Sequence, residues 1–164
     1  TTAECMPSYI SPKNVDLVTR HGIFTEAEFM ARYEIHLDNY CKIVGIEAKT
    51  SVDMVMHQIL PAAIAYTGKL CQTVQAKNGV GAACKAEKAL IQRLSAATDA
   101  LYENVETLRD HLNMIPEGTD AASRYYSQVI IADMNAIRKE ADLLEQLTDK
   151  SYWPYPTYSD LLFY

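Results

Sequence analysis

The chain has 164 residues, 49% of them apolar and 22% charged, enough to bury a core of its own and too apolar for a disordered segment. Fifteen Lys+Arg stand against 21 Asp+Glu for a net charge of -6, with no basic cluster, which excludes the electrostatic footprint of a nucleic-acid binder. The longest uncharged run, 54–68, is shorter than the roughly 20 apolar residues a spanning helix needs and contains His57, Gln58 and Pro61, which excludes a transmembrane helix.

Residues 1–10 show no apolar periodicity and contain Pro7, so they read as a linker remnant ahead of a single helical domain over 11–164. The Thr at position 1 is consistent with a piece of a longer protein. Ser11-Pro12 matches a helix start, with Ser as the N-cap and Pro where its missing N–H costs nothing. That short helix should stop at Gly22. Thr25 and Glu28 form a capping box for the next helix, on which Phe29, Tyr33, Leu37, Tyr40 and Val44 share one face.

Gly45 weakens the helix by about 1 kcal/mol relative to Ala, so the chain either kinks there or runs on. Pro61 removes a hydrogen bond and crowds the His57 carbonyl, a defect of ~3 kcal/mol. A bent helix over roughly 46–77 is therefore expected, ended by Asn78-Gly79-Val80-Gly81.

Over 82–115 the positions Leu94, Leu101, Val105, Leu108, Leu112 and Ile115 follow a near-heptad spacing, with Thr98 in the one polar slot. Over 119–150 the matching set is Tyr126, Ile130, Met134, Ile137, Ala141, Leu144 and Leu147. Only Pro116-Glu117-Gly118 joins the two, which makes them an antiparallel hairpin of helices about 50 Å long. Rods of that length exceed a compact sphere with a radius of gyration of about 15 Å, so the expected fold is an all-α, elongated bundle: a bent helix plus a helical hairpin.

The tail, 151–164, breaks this pattern, because Pro154 and Pro156 force an extended path. It holds six of the fifteen aromatics, too much apolar surface to leave in water, so it must dock either on its own bundle or on a neighbour. Trp153, Tyr155, Tyr158 and Phe163 are its candidate interface residues.

The chemistry of a helical bundle is often a di-metal carboxylate site built on Glu-x-x-His pairs. The residues three before His21, His36, His57 and His111 are Val18, Tyr33, Met54 and Leu108, so that motif does not occur. Asp53 and His57, four apart, have the spacing of two metal ligands and equally of a surface ion pair. Glu34 and Asp38 read as a solvated face, and Cys41, the one thiol near His36 or His57 in sequence, reads as a core residue. The four cysteines are spread out and form no CxxC, as expected of reduced thiols in a cytoplasmic protein. Gly79-Val80-Gly81 is a lone GxG at a helix end and not a phosphate loop. No catalytic, cofactor-binding or metal residue is assigned.

Three stretches carry a specific resemblance: Arg32-Tyr33-Glu34-Ile35 through Asn39-Tyr40-Cys41-Lys42; Ile46-Glu47-Ala48-Lys49-Thr50 with Ile59-Leu60-Pro61-Ala62; and Tyr152-Trp153-Pro154-Tyr155-Pro156-Thr157-Tyr158 with Asp160-Leu161-Leu162-Phe163. Together with Val15-Asp16-Leu17 and His21-Gly22-Ile23-Phe24-Thr25-Glu26, they resemble the C-terminal region of type III glutamine synthetases. Between about 78 and 120 the likeness is of helical type only. The resemblance implies a parent enzyme that condenses glutamate with ammonia using ATP and divalent metal. Its active site would be built by an N-terminal β-grasp domain and a catalytic domain of a double-ring oligomer, both preceding the region matched here. It further implies a noncatalytic domain, inactive alone, whose partners are the other domains and subunits of that enzyme and whose role is assembly or regulation. An independent helical partner- or ligand-binding module is the alternative.

Overall fold

The computed structural model describes residues 1–156 and 158–162. Its described elements are helices: α1 (Thr2–Tyr9), α2 (Pro12–Arg20), α3 (Glu26–Met54), α4 (Leu60–Gly79), α5 (Lys85–Leu112), α6 (Thr119–Tyr125), α7 (Ile131–Leu147) and α8 (Tyr158–Leu162). Five-residue π-turns, Val55–Ile59 and Tyr126–Ile130, join α3 to α4 and α6 to α7. The all-α class, the long irregular helix and the helical hairpin expected from the sequence are all present. By contacts the chain divides into two compact units, Thr1–Lys49 with Arg109–Ala132, and Thr50–Leu108 with Asp133–Tyr164.

In the first unit, local chemistry sets the helix ends as the sequence indicates. Gly22, at φ 64°, closes α2: its amide reaches the Thr19 carbonyl (3.0 Å) and the Ile23 amide reaches Val18 (2.9 Å), a Schellman pair. The Thr25 amide donates to the Glu28 carboxylate (2.8 Å) and the Glu28 amide to the Thr25 hydroxyl (3.2 Å). The Thr25 amide, then the Thr25 hydroxyl donating to the same carboxylate at 2.8 Å, hold the Glu28 carboxyl below the usual range. Residues 1–10, expected to be aperiodic, instead form α1. Met6 packs in one cluster with Tyr33 and Leu37, joined by Tyr9 and Ile10, and Tyr9 stacks on Phe29 with centroids 4.5 Å apart. Pro7 reads as a breaker, yet a helix of eight residues anchored by buried side chains has few hydrogen bonds to lose.

Of the two alternatives at Gly45 the chain runs on: α3 continues through it to Met54, so the helix expected to start near 46 begins at Glu26. The role of Gly45 is clearance: a Cβ at this position would lie 3.0 Å from the Tyr126 hydroxyl and 3.6 Å from two ring carbons. The close approach of two helices therefore outweighs the conformational entropy that glycine costs α3.

In the second unit, Pro61 does leave its mark, as a π-turn immediately before it. The Leu60 amide bonds to the Val55 carbonyl, five residues back rather than four. The widened turn takes up the crowding that a proline ring imposes on the preceding carbonyls, so α4 starts at once and continues to Gly79. There Gly81, at φ 70°, repeats the Schellman closure, with Gly81 bonded to Asn78 (3.2 Å) and Ala82 to Lys77 (2.9 Å). On α5 the fully buried seam is Leu94, Ala97, Leu101, Val105 and Leu108. Ala97 replaces the expected Thr98, whose hydroxyl turns back to the Leu94 carbonyl at 2.7 Å and satisfies itself at the flank.

Two substitutions test this packing. Gly45→Ala is expected to leave stability unchanged or lower it in the native background. With Tyr126→Phe, which removes the atom at 3.0 Å, the same change should stabilise by about 1 kcal/mol through helix propensity. Equal effects in the two backgrounds, measured by denaturant unfolding, would refute the clearance argument.

Candidate functional site

The tail is positioned from α7 outward. Asp149 organises the exit: its carboxylate accepts from the Ser151 amide (2.8 Å) and from the Ser151 hydroxyl, and its carbonyl accepts from the Tyr152 (2.9 Å) and Trp153 (3.2 Å) amides. The Ser151 hydroxyl, then its amide, holds the Asp149 carboxyl below the usual range. Beyond this turn the extended path expected from Pro154 and Pro156 is not followed: the chain bends at Pro154 and Tyr155 and enters α8 at Tyr158, and an ion pair between Lys150 and Asp160 closes the segment.

Tyr152 packs on Tyr66 with centroids 5.4 Å apart, and Trp153 meets Tyr155 edge-on at 6.3 Å. Trp153 and Tyr155, two of the four candidate interface residues, are thus brought together and half-buried. Burial, then the charge of Asp53, pushes the Tyr155 phenol up, and its hydroxyl is buried without a hydrogen-bond partner. Tyr158 opens α8, while Phe163 lies outside the described residues. The sequence reading missed the Tyr66–Tyr152 contact, which no spacing rule encodes, and the Asp149 turn, for which Asp two residues before Ser was the available signal.

The residues weighed for chemistry are dispersed. His57 Nδ1 lies 2.9 Å from Asp53 Oδ1 on an exposed helix face, the geometry of an i,i+4 ion pair. Asp38 is engaged by Lys42 at 2.6 Å, and Glu34 is exposed. Burial, then the Asp38 charge, pushes the Cys41 thiol up, opposite to the shift that activates a nucleophile. All four cysteines are free; Cys84 is buried and its thiol points to Asn78 Oδ1 at 3.4 Å. Among the described residues no group of three or more His, Cys, Asp or Glu could hold a metal ion. Gly79-Val80-Gly81 sits at a helix C-terminus, where the partial charge is negative and repels phosphate.

The best-defined polar link in the first unit is structural. The Tyr33 hydroxyl donates to Asp120 Oδ1 at 2.5 Å across 87 residues of sequence. Burial first, then that hydrogen bond and the carboxylate charge, push the Tyr33 phenol up to about 12 from an ordinary 10.0.

Comparison with known proteins follows the same outline. The family model of the glutamine synthetase C-terminal domain matches residues 1–78. A glutamine synthetase of Butyrivibrio fibrisolvens is 34% identical over 98% of this chain, and a type-3 glutamine synthetase of Dictyostelium discoideum is 28% identical over 99%. A glutamine synthetase of Bacteroides fragilis is 24% identical over 98%. The chain spans about 23% of the length of each of these relatives.

Two outcomes follow from the phenols. Because folding favours the neutral form of Tyr33, its contribution is whole below about pH 10 and is lost as pH rises towards about 12. Tyr33→Phe should flatten that alkaline limb of the stability profile and cost about 1–2 kcal/mol at neutral pH. Tyr155→Phe removes a hydroxyl that makes no bond, so the melting temperature of the chain should hold or rise.

Proposed function

We propose that this chain, similar to the C-terminal domains of glutamine synthetases with type-3 enzymes among its relatives, is a noncatalytic domain supporting subunit assembly or regulation of such an enzyme. The observation that carries this reading is the pattern of coverage: relatives align along nearly all of this chain, yet it spans only 23% of their length. The parent enzyme, on this reading, is a cytoplasmic glutamate–ammonia ligase that uses ATP and Mg. Its catalytic, nucleotide and metal residues belong to the remaining polypeptide.

We treat 11–164 as one domain, because the division between its two compact units falls inside α3, α5 and α7, and helices are poor linkers. Residues 1–10 are the approach from the catalytic part, with α1 folded onto α3 through Met6. The assembly role falls to the tail. Trp153 and Tyr155 offer an amphipathic aromatic pair, and an orphaned buried hydroxyl gains most from a partner that accepts its hydrogen bond. Tyr158 and Phe163 complete the set of candidates read from the sequence. A free-standing helical module that binds a partner or ligand is the second reading; the gene sequence ahead of Thr1 separates the two, since it should encode a catalytic synthetase domain.

Deleting residues 152–164 from the full-length enzyme is expected to weaken its oligomer and lower glutamine formation, read by native mass and by coupled assay. Unchanged assembly and activity would remove the interface role.

A further inference from the structure

Helix α3 is apolar on two faces. Phe29, Tyr33, Leu37, Val44 and Ala48 are buried on one. On the other, Ile35, Ile43 and Ile46 remain 56%, 57% and 65% exposed. At 100° per residue those three fall within an arc of about 80° and span about 16 Å of helix axis. A solvated helix face ordinarily carries Glu, Lys, Gln or Arg, which cost no apolar hydration and have the better helix propensity. Between Ile35 and Ile46 the same arc holds Asn39 and no carboxylate, and Lys42 lies just outside it, paired with Asp38. At its N-terminal end the strip runs into a groove of about 300 Å³ lined by Phe24, Glu28, Ala31, Arg32 and Ile35. The Arg32 guanidinium lies over the Phe24 ring there, 4.4 Å from its centroid.

We propose that this outward face of α3 is the docking surface for the larger part of the same polypeptide, the catalytic part of a glutamine synthetase outside these 164 residues. The inference rests on the reading of the chain as a domain of that enzyme. The length of the relatives selects this occupant. More than three-quarters of the length of each relative lies outside the matched region, so a body several times larger must be attached to this one. The charges that border the strip are balanced, Lys42 by Asp38 at 2.6 Å and Arg32 by Glu28 in the groove, so it fits an apolar surface without a strong charge of its own. Interfaces between domains of one chain bury about 600–1,500 Å², which a helix face of this length with its adjoining groove can supply.

Cysteine substitution in the full-length enzyme tests the assignment. Ile35→Cys and Ile46→Cys replace exposed side chains, with Glu103→Cys on α5 as an exposed control, and iodoacetamide modification is read residue by residue by peptide mass mapping. Positions 35 and 46 should react more slowly than position 103, by about tenfold or more, as for a site reached only by local opening. The protection should persist when the oligomer is diluted to single subunits. Modification as fast as the control overturns the proposal. Protection that vanishes on dissociation also overturns it, because the face is then covered by a neighbouring subunit. Neither readout depends on the tail, so loss of the assembly role assigned to residues 152–164 would leave this test intact.

Discussion

The helical run from Glu26 to Gly79 has to bury residues on either side of the two residue types least suited to a helix interior. Gly45 and Pro61 are accommodated in opposite ways. At Gly45 the backbone stays regular and the neighbour comes in, with the Tyr126 hydroxyl occupying the space a Cβ would need. At Pro61 the neighbours stay and the backbone yields, through a π-turn that carries one extra residue around the axis. The first solution keeps Val44 and Ala48 buried in the first unit, and the second keeps Val55, Ile59 and Ala63 buried in the second.

What the sequence made legible, and what it did not, divides along the range of the interaction. Caps and terminators are local: Ser11-Pro12, Thr25 with Glu28, and Gly22 and Gly81 at positive φ follow from residues within one turn of each other. Apolar periodicity is nearly local, which is why the hairpin seams were readable while Ala97 and Thr98 were exchanged. Adjacent small residues differ little in hydropathy, and only the hydroxyl's bond to Leu94 settles which one faces inward. Met6 in the cluster with Tyr33, the Tyr33–Asp120 bond and the Tyr126 π-turn depend on partners up to 87 residues away, and no spacing rule holds that information.

The same division explains why the candidate site was only half legible. Aromatic density and paired prolines marked 151–164 as an extended segment needing a surface, and the surface found includes Tyr66, identified by three-dimensional contact alone. Tyr152, not among the interface candidates, packs on Tyr66, while Trp153 and Tyr155 pair with each other, all three half-buried. The turn at Asp149 decides this, since it fixes which aromatic faces α4 as the chain leaves the hairpin.

A helix with two apolar faces also changes how the amphipathic pattern of α3 should be read. Five residues at helical spacing identify the buried side, and the rest of the helix is then easily taken for solvated surface. Isoleucine at 35, 43 and 46 departs from that expectation, because a β-branched side chain on an exposed helix gains neither propensity nor burial. In a free-standing domain, selection for solubility and helix formation would favour Glu, Lys or Gln at those positions. In a domain built into a larger enzyme, the same isoleucines become core residues shared between two bodies. Their energy is then recovered at roughly 25 cal/mol per Å² of apolar surface removed from water. The proposed docking accounts for the outer face of α3 by burial against a larger body, which the fold of these 164 residues does not itself supply.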